Sequence, residues 1–286
     1  MIFDENFQLN NGILIPKLGL GTWLIPEDKA AFAVESAVKI GYRLIDTAQA
    51  YDSRFEVAQG IRNCGIDREQ LFITSKVSAN AKTFESAKQS ISDILTEMDL
   101  DYIDLMLIHS PQPWDEFRGD KRYFKENINV WRALEEAYKE GKVRAIGVSN
   151  FLIDDLENII ENCNIVPMVN QVLCHISNTP MDVINFCQSN NILVESYSPI
   201  AHGETLKDPL IKEMADKYHV SVPQLCIRYD LQLNTVVLPK TGNPEHMKDN
   251  AAVDFIISDG DMEKLKHIKK LDSYGDSAKF PVYNGK

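Results

Sequence analysis

The sequence predicts an α/β fold in which eight parallel strands, each followed by a helix, close into a barrel. Short apolar runs alternate with longer amphipathic segments at spacings of roughly 25–35 residues, as strands and helices of a parallel sheet do. The runs are nearly continuous, as in IDLMLI at 103–108, which is typical of strands buried on both faces. Eight such units suit a closed barrel, because open doubly wound sheets usually have five or six strands.

The elements follow from these patterns in chain order. FQLNNGILI at 7–15 predicts an N-terminal β-hairpin with Asn11-Gly12 as its turn. The apolar runs predict strands at 17–21, 43–48, 71–77, 103–110, 143–149, 167–172, 192–198 and 234–240. The amphipathic segments predict helices at 27–40, 53–63, 83–98, 128–140, 152–162, 181–189, 209–218 and 244–251. Gly141 closes the fourth of these helices, and Pro244 suits the first turn of the eighth.

Two more helical stretches, at 220–231 and 262–271, predict extra helices outside the barrel. No linker rich in Pro, Gly or Ser divides the chain, and the longest interruption, 110–125, lies in a loop between a strand and its helix. We therefore expect residues 1–286 to form a single (β/α)8 TIM-barrel domain.

Composition excludes several classes of protein. The 286 residues are 44% hydrophobic and 25% charged, which is ordinary for a globular chain and excludes disorder. The net charge of −12 argues against nucleic acid or an anionic membrane as a general partner. An anionic ligand would need a local basic site.

The five cysteines are scattered and odd in number, so they predict neither a disulfide framework nor a zinc ribbon. Cys174-His175 has no metal-ligand partners at a useful spacing, and we expect no metal site. The N-terminus shows no signal-peptide pattern, and no apolar run reaches the length of a membrane span. These features predict a cytoplasmic protein with free thiols.

Ionisable residues stand where three consecutive predicted strands end. The second ends at Asp46, with Tyr51 five residues later, the third at Lys76 and the fourth at His109. Neighbouring parallel strands lie about 4.8 Å apart, so these side chains should converge at the catalytic end of the barrel. Singly, each has an ordinary interpretation: a turn residue, a solvated lysine or a core histidine. Together they favour a functional site.

The set suits reduction of a carbonyl group. The oxygen of the product must be protonated, and a tyrosine is a weak donor at its usual pKa near 10. A nearby ammonium is expected to lower the pKa of Tyr51, while Asp46 keeps Lys76 charged and oriented. A neutral His109 could donate to the substrate oxygen.

Several segments resemble the aldo/keto reductase superfamily, from about residue 7 to 272. DTAQAY at 46–51, ITSK at 73–76 and LIH at 107–109 are similar to its catalytic segments. GLGTW at 19–23, GKVRAIGVSNF at 141–151, VNQ at 169–171, YSP at 197–199 and LPKTGNPEHMKDN at 238–250 are similar to its cofactor segments. The resemblance implies a (β/α)8 barrel that uses NADPH to reduce aldehydes or ketones to alcohols. Tyr51 would be the general acid, assisted by Lys76 and Asp46, and His109 would orient the carbonyl.

The resemblance also implies binding residues. The cofactor residues would be Thr22, Trp23, Ser149, Asn150, Gln171, Tyr197, Ser198, Ile200, Lys240, Thr241, Asn243, His246 and Asn250. Ser149, Asn150 and Gln171 would hold the carboxamide, and Tyr197 would stack on the nicotinamide. The substrate residues would be Trp23, Tyr51, His109 and Trp114. Independently of the family, a helix N-terminus after strand eight, with Lys240, is a recurrent phosphate site in barrels.

Departures from the family pattern bear on specificity. His246 stands where Arg is common, so the preference for NADPH should be weaker and NADH is a possible cofactor. Ser78 and Ser110 replace common aromatic residues, which predicts a more open or polar pocket. Arg54 is either an ordinary surface residue or one that favours anionic substrates, and the first interpretation is favoured. The tail, with Phe280 and Tyr283, either folds over the pocket or is frayed.

The sequence thus predicts an NAD(P)H-dependent aldo/keto reductase that acts as a monomer on a small carbonyl compound. Two other classes stay open. One is a regulatory protein that binds the cofactor on the same barrel with little catalysis. The other is a hydrolase or aldolase with Lys76 as Schiff-base nucleophile, which a protonated, carboxylate-paired lysine disfavours.

Overall fold

A computed structural model describes residues 1–284, and in that range eight parallel strands form a barrel. The barrel strands are β3 (Gly19–Gly21), β4 (Leu44–Asp46), β5 (Phe72–Val77), β6 (Ile103–Ile108), β7 (Val143–Ser149), β8 (Val169–Leu173), β9 (Leu193–Tyr197) and β10 (Val236–Leu238). They are hydrogen-bonded in chain order, and the bridges Leu18–Val237 and Gly21–Lys240 bring the last strand back to the first. The predicted (β/α)8 architecture is confirmed.

An antiparallel hairpin of β1 (Asn6–Gln8) and β2 (Leu14–Pro16) precedes the barrel, as predicted. Its turn differs from the expected two-residue Asn-Gly form. Leu9 and Ile13 still pair, so the loop has three residues, of which Gly12 alone is left-handed, at φ 86°. The side chains of Asn10 and Asn11 bind backbone carbonyls at the amino end of the barrel, and this contact selects the longer loop.

Helices alternate with the strands around the barrel. They are α1 (Glu27–Ile40), α2 (Arg54–Asn63), α3 (Phe84–Met98), α4 (Phe124–Lys139), α5 (Ile153–Asn162), α6 (Met181–Ser189), α7 (Pro209–Lys217), α8 (Val222–Gln232), α9 (Pro244–Ala251) and α10 (Asp259–Lys266). Side-chain caps begin several of them: Thr83 caps α3 and Ser221 caps α8, each by accepting from the backbone three residues on. The two predicted extra helices correspond to α8 and α10.

Two helices have a boundary more than two residues from the predicted one. Helix α4 begins four residues before the expected Ile128, because left-handed Tyr123 turns the chain and buried Asn127 already packs in the first turn. Helix α10 begins at Asp259 rather than Met262, since Ser258 caps it, and it ends at Lys266. Both differences lie outside the barrel strands.

Several barrel strands are shorter than the apolar runs suggested. In β4 only three residues pair with β3 and β5, so Thr47 and Ala48 belong to the loop that follows. In β10 the strand starts at Val236 because Asn234 is left-handed, at φ 58°. Close strand packing also restricts residue size: a Cβ on Gly147 would lie 2.6 Å from the carbonyl oxygen of Val169. In residues 1–284 no helix is long and apolar enough to cross a membrane.

Candidate active site

A buried ion pair lies at the carboxyl ends of β4 and β5. The Nζ of Lys76 donates to both carboxylate oxygens of Asp46, at 2.7 and 2.8 Å, and to the carbonyl oxygen of Thr47 at 2.9 Å. Strand pairing places the two residues side by side at this end, because Asp46 lies opposite Thr74 two residues before Lys76. Lys76 is only 1% exposed, so its charge depends on these three oxygens rather than on water.

The loop after β4 carries Tyr51 to the same ammonium. Backbone bonds from Thr47 to Thr74 and from Gln49 to Lys76 hold this loop against β5. The Oη of Tyr51 accepts a hydrogen bond from Lys76 Nζ at 3.4 Å. Because Tyr51 is the acceptor in this contact, its own proton remains available to a group in the cavity.

The expected lowering of the pKa of Tyr51 is wrong for this state of the protein. Burial and, secondarily, the charge of Asp46 raise the pKa of Tyr51 well above its usual value. The ammonium of Lys76 does not reverse this, because its charge is paired with the carboxylate of Asp46. Tyr51 is therefore held protonated, which is the form that a proton donor requires.

His109 faces Tyr51 from the end of β6. Its ring centroid lies 5.8 Å from that of Tyr51 and 5.1 Å from that of Trp114. Burial, together with the charge of Lys76, holds the pKa of His109 well below its usual value, so the imidazole is neutral. The Nδ1 atom has no hydrogen-bond partner among residues 1–284.

These side chains border a cavity of about 560 Å³, a size typical of ligand sites. Most of the predicted site residues line it: Trp23, Asp46, Tyr51, His109, Trp114, Ser149, Asn150, Gln171, Tyr197, Ser198, Ile200 and Lys240. Ser78 and Ser110, which predicted a more open or polar pocket, do not line the cavity, whereas Trp114 and Phe280 do. How open the pocket is relative to those of the family stays a prediction.

Other predicted cofactor residues lie outside the cavity lining. Thr22 is buried and donates through Oγ1 to the carbonyl oxygen of Asp46. Thr241 and Asn243 lie just before α9, His246 lies in its first turn, and Asn250 lies near its end. Asn243 caps this helix, Asn250 is buried, and His246 is exposed. Their contact with a cofactor stays a prediction.

A second hydrogen-bonded set of polar side chains reaches the cavity through Asn150, Gln171 and Tyr197. Tyr197 donates to Asn150 Oδ1 at 2.7 Å, and Asn150 Nδ2 donates to the carbonyl oxygen of His109 at 3.1 Å. The Nε2 of Gln171 donates to Asp46 and to Glu195, both at 2.8 Å. The sequence analysis did not single out Glu195, although an acid inside the apolar strand ILVESYS was a visible signal.

In the described residues the C-terminal tail folds over the cavity. Of the two alternatives that the sequence left open, a folded or a frayed tail, the first is therefore found. Tyr283 is buried, and its hydroxyl lies 2.7 Å from Ser198 Oγ. The ring of Phe280 packs edge-on against Trp23 at 4.8 Å. His202 also lines the cavity and contacts Tyr283 at 4.5 Å, so the tail and the loop after β9 form one wall.

Comparison with known proteins identifies the family. The model of the aldo/keto reductase family matches residues 17–209. The chain belongs to the aldo/keto reductase family. This assignment confirms the predicted class of enzyme, an oxidoreductase.

Individual relatives are similar in sequence to nearly the whole chain. It is 37% identical to glyoxal reductase of Bacillus subtilis over 95% of each protein. It is 33% identical to methylglyoxal reductase DkgA of Escherichia coli, covering 93% of this chain and 92% of that one. An aldo-keto reductase of Bombyx mori, solved in complex with NADP, is 30% identical, covers 98% of this chain and 97% of that one, and has a TM-score of 0.85. The cofactor of that structure agrees with the one that the sequence predicts.

Proposed function

We propose that the protein reduces aldehydes and ketones to alcohols with NADPH, with Tyr51 as the proton donor. The observation that carries the proposal is the contact of the buried Lys76 Nζ with Tyr51 Oη, where Tyr51 and a neutral His109 border one cavity. We also propose that the chain forms one barrel domain and acts as a monomer.

The residues of the cavity fit NADP(H). Lys240 lines one side and has no ion-pair or hydrogen-bond partner within residues 1–284, so its ammonium is free for a phosphate. Burial lowers the pKa of Lys240, which an anion beside it would offset. Asn150 and Gln171 line the same cavity as Tyr51 and His109 and carry side-chain amides. Bound there, NADPH would supply the hydride for the carbonyl carbon.

The side chains of this protein would manage the proton and the charge. His109, neutral and buried, would donate a hydrogen bond to the substrate oxygen and orient the carbonyl. Tyr51 would give its proton to that oxygen as negative charge develops on it. The resulting phenolate would lie against Lys76, whose ammonium already contacts Oη, and would regain a proton from solvent.

Small aldehydes and dicarbonyl compounds are the proposed substrates. Two relatives are named glyoxal reductase and methylglyoxal reductase. In this chain the aromatic rings of Trp23, Trp114 and Phe280 line the cavity around His109 and Tyr51. Such walls exclude water from the reacting carbonyl and suit compact substrates.

The test is loss of NADPH absorbance at 340 nm with glyoxal, methylglyoxal and a panel of simple aldehydes and ketones. We expect Tyr51→Phe to lower kcat by about 10²–10⁴-fold, the usual contribution of a general acid, while NADPH still binds. Tyr138→Phe is the matched control, because Tyr138 lies at the opposite end of the barrel beside Asn11.

Three results would speak against the proposal. Equal activity of wild type and Tyr51→Phe would remove Tyr51 from the role of acid. Binding of NADPH without reduction of any carbonyl would favour the regulatory alternative. Borohydride trapping of a carbonyl substrate on Lys76 would favour the Schiff-base alternative.

A further inference from the structure

Glu195 is a buried acid that the proposed reaction does not use. It lies in the middle of β9, is fully buried, and pairs in register with Gln171 on one side and Val236 on the other. Its Oε2 accepts from Gln171, while its Oε1 has no partner among the described residues. A polar group in such a place is costly, and a leucine of similar size would avoid the cost.

Glu195 forms no ion pair within residues 1–284. The charge of Lys76 lowers its pKa only in part, and the Lys76 ammonium binds both oxygens of Asp46 and the carbonyl oxygen of Thr47 instead. Burial and the charge of Asp46 raise the pKa of Glu195 to about 8. At neutral pH the side chain is therefore mainly uncharged, and it acts as a hydrogen-bond acceptor rather than as a counter-ion.

The contact with Glu195 gives the second N–H of the Gln171 side-chain amide a hydrogen-bond acceptor. Its Nε2 carries two hydrogens, and the acceptors Asp46 Oδ2 and Glu195 Oε2 lie at 2.8 Å each. Asp46 by itself would exclude a flipped amide, because a carboxylate repels the amide oxygen. It would still allow the amide plane to rotate about one hydrogen bond. The second bond fixes the plane, and so it fixes the direction of Oε1.

The fixed Oε1 is the part of Gln171 that is left for a ligand. Gln171 lines the cavity, and no hydrogen-bond donor reaches its Oε1 from within residues 1–284. An amide oxygen accepts hydrogen bonds and donates none. It therefore suits an N–H group of a ligand and not a carbonyl oxygen.

We propose that Glu195 is a positioning residue that holds the Gln171 amide so that its Oε1 accepts a hydrogen bond from the carboxamide N–H₂ of the nicotinamide. This inference rests on the proposed function, because it requires NADP(H) in the cavity. In this proposal, the preference for a ligand with a carboxamide depends on Glu195, which does not contact the ligand.

The test compares NADP⁺ with its 3-acetylpyridine analogue, in which a methyl ketone replaces the amide and the N–H donor is lost. The ratio of the two dissociation constants is measured by quenching of tryptophan fluorescence, without turnover. In wild type we expect NADP⁺ to bind about three- to tenfold more tightly, the span of one net hydrogen bond. Glu195→Gln should keep most of this ratio, because its amide oxygen still accepts from Gln171.

Glu195→Leu should bring the ratio close to one, since it fills the space without an acceptor. Glu195→Val, which suits a strand, carries the same expectation if the leucine variant does not fold. Val194→Ala is the matched control: it weakens the same buried strand without touching Gln171 and should leave the ratio unchanged.

The outcomes separate this inference from the proposed function. If wild type binds NADP⁺ and discriminates against the analogue, but Glu195→Leu or Glu195→Val does so equally, the role of Glu195 is wrong and the reductase proposal stands. If Val194→Ala loses the ratio as well, general loosening of β9 is the cause and the inference is again wrong. If wild type binds no NADP⁺, both proposals fall together.

Discussion

Lys76 and Asp46 form an ion pair of 2.7 Å inside the barrel, where the two side chains are 1% and 6% exposed. Each of the two charges has been removed from water, so each depends on the other. The pair also supports its surroundings: Asp46 accepts from Gln171, and Lys76 donates to Tyr51. A change at either residue should therefore affect both the stability of the barrel and the proposed proton donor.

Asp46→Asn should lower the free energy of unfolding by about 3–5 kcal/mol, the cost of leaving one charge of a buried pair alone. Urea denaturation at neutral pH measures it. Asp46→Asn/Lys76→Met is the control, because removal of both charges should recover much of the stability while reduction stays abolished. Equal stability of wild type and Asp46→Asn would mean that the ammonium has another counter-charge.

His246→Arg should shift cofactor preference toward NADPH. His246 is exposed on α9, shortly after Lys240, where the sequence predicts the adenosine phosphate. A guanidinium offers a permanent charge and a bidentate fork to a phosphate, so the ratio of kcat/KM for NADPH over NADH should rise about tenfold. Lys248→Arg, exposed on the same helix and paired with Glu245, should leave the ratio as it is. A shift toward NADH would contradict the placement of the phosphate.

Tyr283→Ala should release the C-terminal tail without unfolding the barrel. Tyr283 belongs with Tyr274 and Ala201 to a small apolar cluster that is separate from the main core. The variant also loses the contact of its hydroxyl with Ser198. We expect faster hydrogen exchange in 275–284 and little change in the urea midpoint. Asp276→Ala, at an exposed position of the same tail, is the control. Protection of the tail that survives Tyr283→Ala would show that other contacts hold it.

His175 should make the protein less stable as the pH falls below about 6.5. The ring is buried between Tyr274 and Ser177, and burial lowers the pKa of His175 to about 3. In the unfolded chain His175 binds a proton below about pH 6.5, whereas in the folded chain it does so only near pH 3. The free energy of unfolding therefore falls by about 1.4 kcal/mol per pH unit between these two pKa values.

The prediction for His175 is tested against a variant, because the titration of Glu195 changes the stability with pH in the opposite direction. The folded chain keeps a proton on Glu195 up to about pH 8, which favours folding as the pH falls toward the ordinary value of 4.5. His175→Gln removes only the histidine. Urea unfolding near pH 6 and pH 5 should show that wild type loses more stability than this variant, and parallel changes in the two proteins would refute the prediction.

Much of the barrel could be predicted from local patterns. The apolar runs and amphipathic segments located the eight barrel strands and the ten helices of residues 1–284. They did so because burial of a strand or of one helix face gives the hydrophobic residues a short-range pattern along the sequence. Boundaries such as the start of α4 were missed, since they depend on Tyr123 and on the burial of Asn127 against a distant loop. The catalytic candidates were visible because strands of a barrel end together, so Asp46, Lys76 and His109 had to meet.

Local patterns along the chain were enough to predict the alternation of strands and helices and the polar residues at three strand ends. How those residues behave depends on contacts that form only in the folded molecule. The pKa of Tyr51 is raised rather than lowered, the tail closes one wall through Tyr283, and Glu195 accepts from Gln171 on the neighbouring strand. The physical reason is that periodicity is a property of neighbours in the chain. Burial, charge compensation and hydrogen-bond geometry depend on groups that folding brings together from distant positions.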